Sequence, residues 1–154
     1  MIFNRHAGKR ICVMGGGPSL KADIEKVEAD VWISCNQHGA ALRPVDYVVA
    51  LDDVHDVLHR PMREVIREHT DAPIIAPHDW ADIRISKPSR ITGTAAFSVA
   101  AQMGARQIIL AGFDCYGGQK HVIEQFRAVD RWVVADVLVV SGPLLSLFPE
   151  AVPA

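Results

Sequence analysis

Short apolar runs and amphipathic stretches alternate along this chain. Ile11 to Met14 is an unbroken apolar run, the pattern of a strand buried on both faces. Leu20, Ile24 and Val27 then recur at helical spacing. Val31–Cys35, Tyr47–Leu51 and Pro73–Ala76 read as strands two to four. Between the last two, Val54, Val57, Leu58, Met62, Val65 and Ile66 outline an amphipathic helix over 54–69, with Pro61 as a kink or restart. A short helical piece over Ala40–Leu42 is expected to stop at Pro44. Residues 77–92 are rich in Pro and Ser-Pro-type breakers and leave room for a brief strand at Ile83–Ile85. Thr92-Gly93-Thr94 opens a helix of small residues that ends at Gly104. Gln107–Ala111 is strand five, a helix after His121 shows Val122, Phe126, Val129 and Val133 on one face, and Val137–Val140 is strand six. Leu144, Leu145, Leu147 and Phe148 between prolines read as a last packed segment, with an oligomer contact as the alternative. Strands alternating with helices predict an α/β fold: a single three-layer, Rossmann-like domain over residues 1–154 with a mostly parallel sheet of about six strands.

Composition narrows the class. With 154 residues, 49% hydrophobic and 22% charged, the chain can bury a proper core. A formal charge of -2 gives no footprint for nucleic acid, and the aromatics are too scattered to form a base-stacking platform. Cys12, Cys35 and Cys115 read as free buried thiols. No run approaches membrane-spanning length and no signal-peptide pattern opens the chain, so a cytoplasmic protein is expected.

Parallel sheets bind ligands at the C-terminal ends of their strands. The suggestive polar residues fall there: Gly15–Ser19, Asn36-Gln37-His38, Asp52-Asp53, and Asp114 with Tyr116. Gly15, Gly16 and Gly17 let the backbone turn sharply and approach a ligand, Pro18 sets φ, and Ser19 is placed to cap the next helix. The glycine spacing is neither a dinucleotide fingerprint nor a P-loop, so a phosphate site at the helix start and a plain tight turn both remain open. If the loop binds a ligand, Gly17→Val should block approach while leaving the protein folded. His55 and His59 lie four apart in the predicted helix, but without a His-Glu-x-x-His pattern no transition-metal site is expected. Trp32, Trp80 and Trp132 read as packing residues, Trp80 also as a candidate for the site's rim.

The order of these pieces carries a resemblance. Gly15-Gly16-Gly17-Pro18-Ser19-Leu20 resembles the Gly-Asn-Gly-Pro-Ser-Leu loop of bacterial CMP-sialic-acid-dependent sialyltransferases and the related motility-accessory-factor glycosyltransferase-like domains. Cys35-Asn36-Gln37, Arg90-Ile91-Thr92-Gly93 and Leu110-Ala111-Gly112-Phe113-Asp114-Cys115-Tyr116 resemble further segments of that group, and His121 precedes a helix as the family's catalytic histidine does. Ser141-Gly142-Pro143 with Leu145 echoes its closing strand.

The resemblance implies a nucleotide or nucleotide-sugar ligand held by Gly15, Gly16, Gly17, Pro18, Ser19, Asn36, Gln37, Arg90, Thr92, Gly93, Thr94, Asp114 and Tyr116. His121 would be the general base of sugar transfer from a CMP-type donor, with no cofactor required. Two departures stand out: Gly16 replaces the loop asparagine, and only Gly117–Lys120 separates Tyr116 from His121, where the sialyltransferases carry a long lid. Two alternatives therefore accompany the transferase. One is a Mg²⁺-dependent diphosphokinase using Asp52 or Asp53, since archaeal 6-hydroxymethylpterin diphosphokinases resemble the same group. The other is a non-catalytic phage- or mobile-element accessory module that binds without turnover, alone or as a homo-oligomer.

Overall fold

The computed structural model describes residues 2–86 and 90–151. Its centre is a seven-stranded sheet, every pairing parallel, in the order β5-β4-β3-β2-β1-β6-β7. The strands are β1 (Arg10–Met14), β2 (Val31–Cys35), β3 (Tyr47–Val49), β4 (Ile74–Ala76), β5 (Ile83–Arg84), β6 (Gln107–Ala111) and β7 (Asp136–Val139). The seventh strand beyond the expected six is β5, the short piece within the breaker-rich stretch; Pro88 and Ser89 of that stretch lie outside the described residues.

Alternation along the strands sorts the core into two faces. Ile11 and Val13 of β1 point toward α3 (Thr92–Gln102) and α5 (Lys120–Asp130), where Phe97 stacks on Phe126 and meets Phe148 edge-on. Cys12 and Met14 point the other way, into a cluster with Leu20 and Ile24 of α1 (Leu20–Ile24). Val48 and Ala50 share that second face with Met62, Val65 and Ile66 of α2 (Met62–Arg67). The result is helix, sheet, helix.

Several local expectations change. The helix expected over 20–27 stops at Ile24, because Lys26 and Val27 donate to the carbonyls three residues back and tighten the last turn. Ala40–Leu42 forms turns and no helix. The predicted helix over 54–69 survives only as α2, because Pro61 starts it afresh; residues 54–60 form a turn closed by the Val54–Pro61 bridge, with Val57 and Leu58 exposed. Trp132 is 86% exposed, so it is no packing residue, whereas Trp32 is buried. The N–H groups of Asn4, His6 and Gly8 donate to the carbonyls of Gln102, Met103 and Gly104, docking the start of the chain on the end of α3. Leu144 and Phe148 are buried around a 3-10 turn at Pro143–Ser146, as a packed closing segment requires.

Candidate functional site

The sheet order reverses between β1 and β6: β2 to β5 extend to one side of this pair and β7 to the other. Loops leaving adjacent strands in opposite directions open a crevice at their C-terminal ends, the usual ligand position in such sheets. The glycine loop and the Gly112–Tyr116 segment flank this crevice.

Both loops are tied together. Gly15 N–H donates to Ala111 O and Gly17 N–H to Gly112 O, each at 2.8 Å. The glycines are required by this proximity: a Cβ on Gly15 would stand 2.7 Å from Gly112 O and the Phe113 ring, and one on Gly17 would overlap Asp114 Oδ2. Asp114 Oδ2 accepts from the Ser19 N–H (3.1 Å) and from the Ser19 hydroxyl (2.9 Å). The anion at the start of α1 is thus the chain's own carboxylate. Ser19 makes no side-chain cap on α1, contrary to the expectation, because its hydroxyl is engaged by Asp114 and Asp23. Pro18 has no N–H, so within the loop the Gly16 N–H is left without a described partner.

Asp23 lies beneath. It is 2% exposed, and its carboxylate accepts from Gly112 N–H (2.8 Å), Ser141 Oγ (2.6 Å) and Ser19 Oγ (3.3 Å). One buried acid therefore joins the ends of β1, β6 and β7. The sequence carries a signal for it, since Asp23 interrupts the apolar stripe of Leu20, Ile24 and Val27 at the i+3 position.

At the end of β2, Asn36 adopts φ 50°, a conformation asparagine tolerates better than most residues. Its side-chain Oδ1 is buried with no hydrogen-bond donor. The end of the Gln37 amide lies 3.3 Å from His55 Nε2. His55 Nδ1 accepts from Val57 N–H and Leu58 N–H, the Gln37 atom facing its Nε2 is the amide nitrogen, and the Gln37 amide oxygen is buried without a hydrogen-bond partner. His38 lies over Gly16: a Cβ there would stand 2.5 Å from its Cδ2 and 2.6 Å from its Nε2. Burial, and secondarily the neighbouring His55, hold the His38 imidazole below the usual histidine range. His38 stands with Asn36-Gln37 among the polar residues expected at the strand ends, but the sequence assigns it no role there and raises His55 only as a metal ligand.

The remaining expected residues divide. Gly93 packs on the Phe113 ring, and Thr92 Oγ1 accepts from Leu51 N–H, fixing the first turn of α3 beside the site. Arg90 and Thr94 line a separate cavity of about 830 Å³ between α3 and α5, along with Ser98, Gln125 and Trp132. Tyr116 sits in α4 (Cys115–Gly118), one turn whose four residues all have positive φ, and its side chain is exposed. His121 occupies the first turn of α5, exposed, its imidazole making no hydrogen bond to another described residue. Asp53 accepts from the Trp80 indole (2.6 Å), and Trp80 stacks on His78. Among the described residues, no three His, Cys, Asp or Glu side chains converge where a metal ion could be held, and His55 and His59 share a turn rather than a helix face.

No protein-family profile matches the chain, and no curated protein does. Among solved structures it is similar to the sialyltransferase CstII from Campylobacter jejuni, solved in complex with a substrate analogue, cytidine-5'-monophosphate. The TM-score is 0.66 at 16% identity, covering 94% of this chain and 86% of that one. The likeness establishes a shared α/β fold along nearly the whole chain.

Proposed function

We propose that this protein binds a nucleoside phosphate in the β1/β6 crevice and transfers a sugar from a CMP-type donor. The observation that carries the reading is a crevice whose loops are locked to each other but, among the described residues, leave the Gly16 N–H donor and the buried acceptors Asn36 Oδ1 and Gln37 Oε1 without partners. A buried acceptor without a donor costs roughly 1–3 kcal/mol, which a ligand hydroxyl or amino group would relieve. Supporting it are the ordered motifs that resemble those of CMP-sialic-acid-dependent sialyltransferases and the fold shared with one solved with CMP.

In the transfer step, the His121 imidazole would take the proton of the acceptor hydroxyl as that oxygen bonds the anomeric carbon. The bond from that carbon to phosphate oxygen breaks, and CMP leaves with the electron pair. The exposure of His121 and the absence of an orienting partner among the described residues favour a second reading, in which the same crevice binds the nucleotide without turnover.

A thermal-shift panel of CMP, CDP, UDP, GDP and ATP, with and without Mg²⁺, separates the cases. Stabilisation by CMP without metal is the expected result; a ligand at a hundredfold excess over its Kd contributes about 2.7 kcal/mol. A preference for ATP with Mg²⁺ would favour the diphosphokinase alternative, and no response to any nucleotide would overturn the reading. His121→Asn should leave CMP binding intact and abolish transfer; unchanged transfer would remove His121 as base.

A further inference from the structure

The glycine loop offers a ligand little of its own. Its Gly15, Gly17 and Ser19 N–H groups are spent on Ala111 O, Gly112 O and Asp114 Oδ2, and Pro18 has none. Gly16 N–H alone cannot hold a phosphate firmly, so a second donor beside Gly16 is required. One side chain stands there. The Cδ2–Nε2 edge of His38 fills the volume that a side chain on Gly16 would occupy.

We propose that His38 serves as the side chain of the glycine loop, its imidazole binding the ligand's phosphate beside the Gly16 N–H. This rests on the nucleotide-binding reading above and names a residue for it. Three features support the assignment. Neither imidazole nitrogen of His38 bonds another described residue, so its donor is available. The ring is half-buried between the β1 and β2 loops, which limits the freedom lost on binding. The charged groups bearing on it are His55 and Asp56, both from the 54–60 turn; burial and His55 favour the neutral ring, which still carries one N–H. The loop that this one resembles has asparagine at the Gly16 position, so here a polar group from the next loop occupies the place of the missing amide.

The test compares CMP with cytidine, which lacks the phosphate, by calorimetric titration of the wild type, His38→Ala, His38→Asn and the double variant Gly16→Asn/His38→Ala. His38→Ala should weaken CMP about tenfold or more while leaving cytidine unchanged, because a hydrogen bond to a charged acceptor is lost. His38→Asn, which retains an N–H donor, should recover part of that loss. The double variant should recover part as well, since its amide enters the volume the imidazole vacates. Equal weakening of CMP and cytidine would mean that His38 only packs against the loop, and unchanged CMP affinity would mean that it plays no part; either overturns the proposal while CMP binding by the wild type upholds the reading beneath it. A wild type that binds neither compound overturns both.

Discussion

At the scale of single residues, the site is set by where a side chain is forbidden and where a charge is buried. Gly17→Val was expected to spare the fold, but a Cβ at Gly17 would overlap the Asp114 carboxylate and stand 2.8 Å from Gly112 O. Asp114 is held by Ser19 and cannot swing aside without losing two hydrogen bonds. Gly17→Ala should therefore lower stability by about 2 kcal/mol, read as a shift in the urea midpoint at unchanged m. Gly16→Ala, whose three nearest neighbouring atoms all belong to the movable His38 ring, should cost much less. Asp23→Ala should be the most damaging change in this region, by about 3 kcal/mol, because Gly112 N–H is then buried without its acceptor. His38 adds a pH dependence. The unfolded chain takes up a proton near pH 6.5 that the folded protein binds only at lower pH, so stability falls as pH drops below about 6.5. His38→Asn should remove that part of the acid sensitivity; an unchanged stability profile between pH 7 and 5 would show that His38 does not contribute.

At the scale of elements, the most unusual piece is α4. Cys115, Tyr116, Gly117 and Gly118 all have φ between 52° and 85°, and Gly118 and Gln119 N–H donate to Asp114 and Cys115 O, giving one left-handed helical turn. For a residue with a Cβ this conformation costs roughly 1–2 kcal/mol. The turn compresses the β6–α5 connection to a few residues and leaves Tyr116 at the site edge, 75% exposed. Tyr116→Gly should not destabilise the fold, and relief of strain should raise stability by up to about 1 kcal/mol in urea unfolding. If the tyrosine contacts nucleotide as the resemblance implies, the same variant binds CMP more weakly. A variant that loses stability would show that the ring packs in a way its exposure does not suggest.

At the scale of the whole molecule, both sheet faces are covered and the cysteines are shut inside. Cys12, Cys35 and Cys115 are free and buried. Burial pushes the Cys35 thiol up to about 12, burial and then Asp114 push Cys115 up to about 11, and Cys12 is also raised by burial. Thiolate is the reactive form, so iodoacetamide at pH 8 should leave the native protein unlabelled and modify all three thiols in denaturant. Labelling of the native protein, followed by mass spectrometry, would locate an opening of the fold near the modified cysteine. The reversal of strand order between β1 and β6 is also a property of the whole. It brings the glycine loop and the Gly112–Tyr116 segment to the same edge, although nearly a hundred residues separate them.

The sequence by itself determined the α/β class, the limits of β2 and β6, and the polar residues at strand ends, because strand burial and turn chemistry are local and leave a periodic trace. It misjudged the 54–60 stretch, where apolar spacing mimics a helix that Pro61 restarts and the surrounding chain does not cover. The tertiary structure alone decided which polar groups are used up and which remain. Ser19 meets Asp114 from 95 residues away, Asp23 reaches Gly112 across 89 and Ser141 across 118. His38 enters the site as the neighbour of Gly16 in space, with no local signal for that contact. Hydrogen-bond satisfaction depends on groups that meet only when the sheet is assembled, and no pattern confined to one segment encodes it.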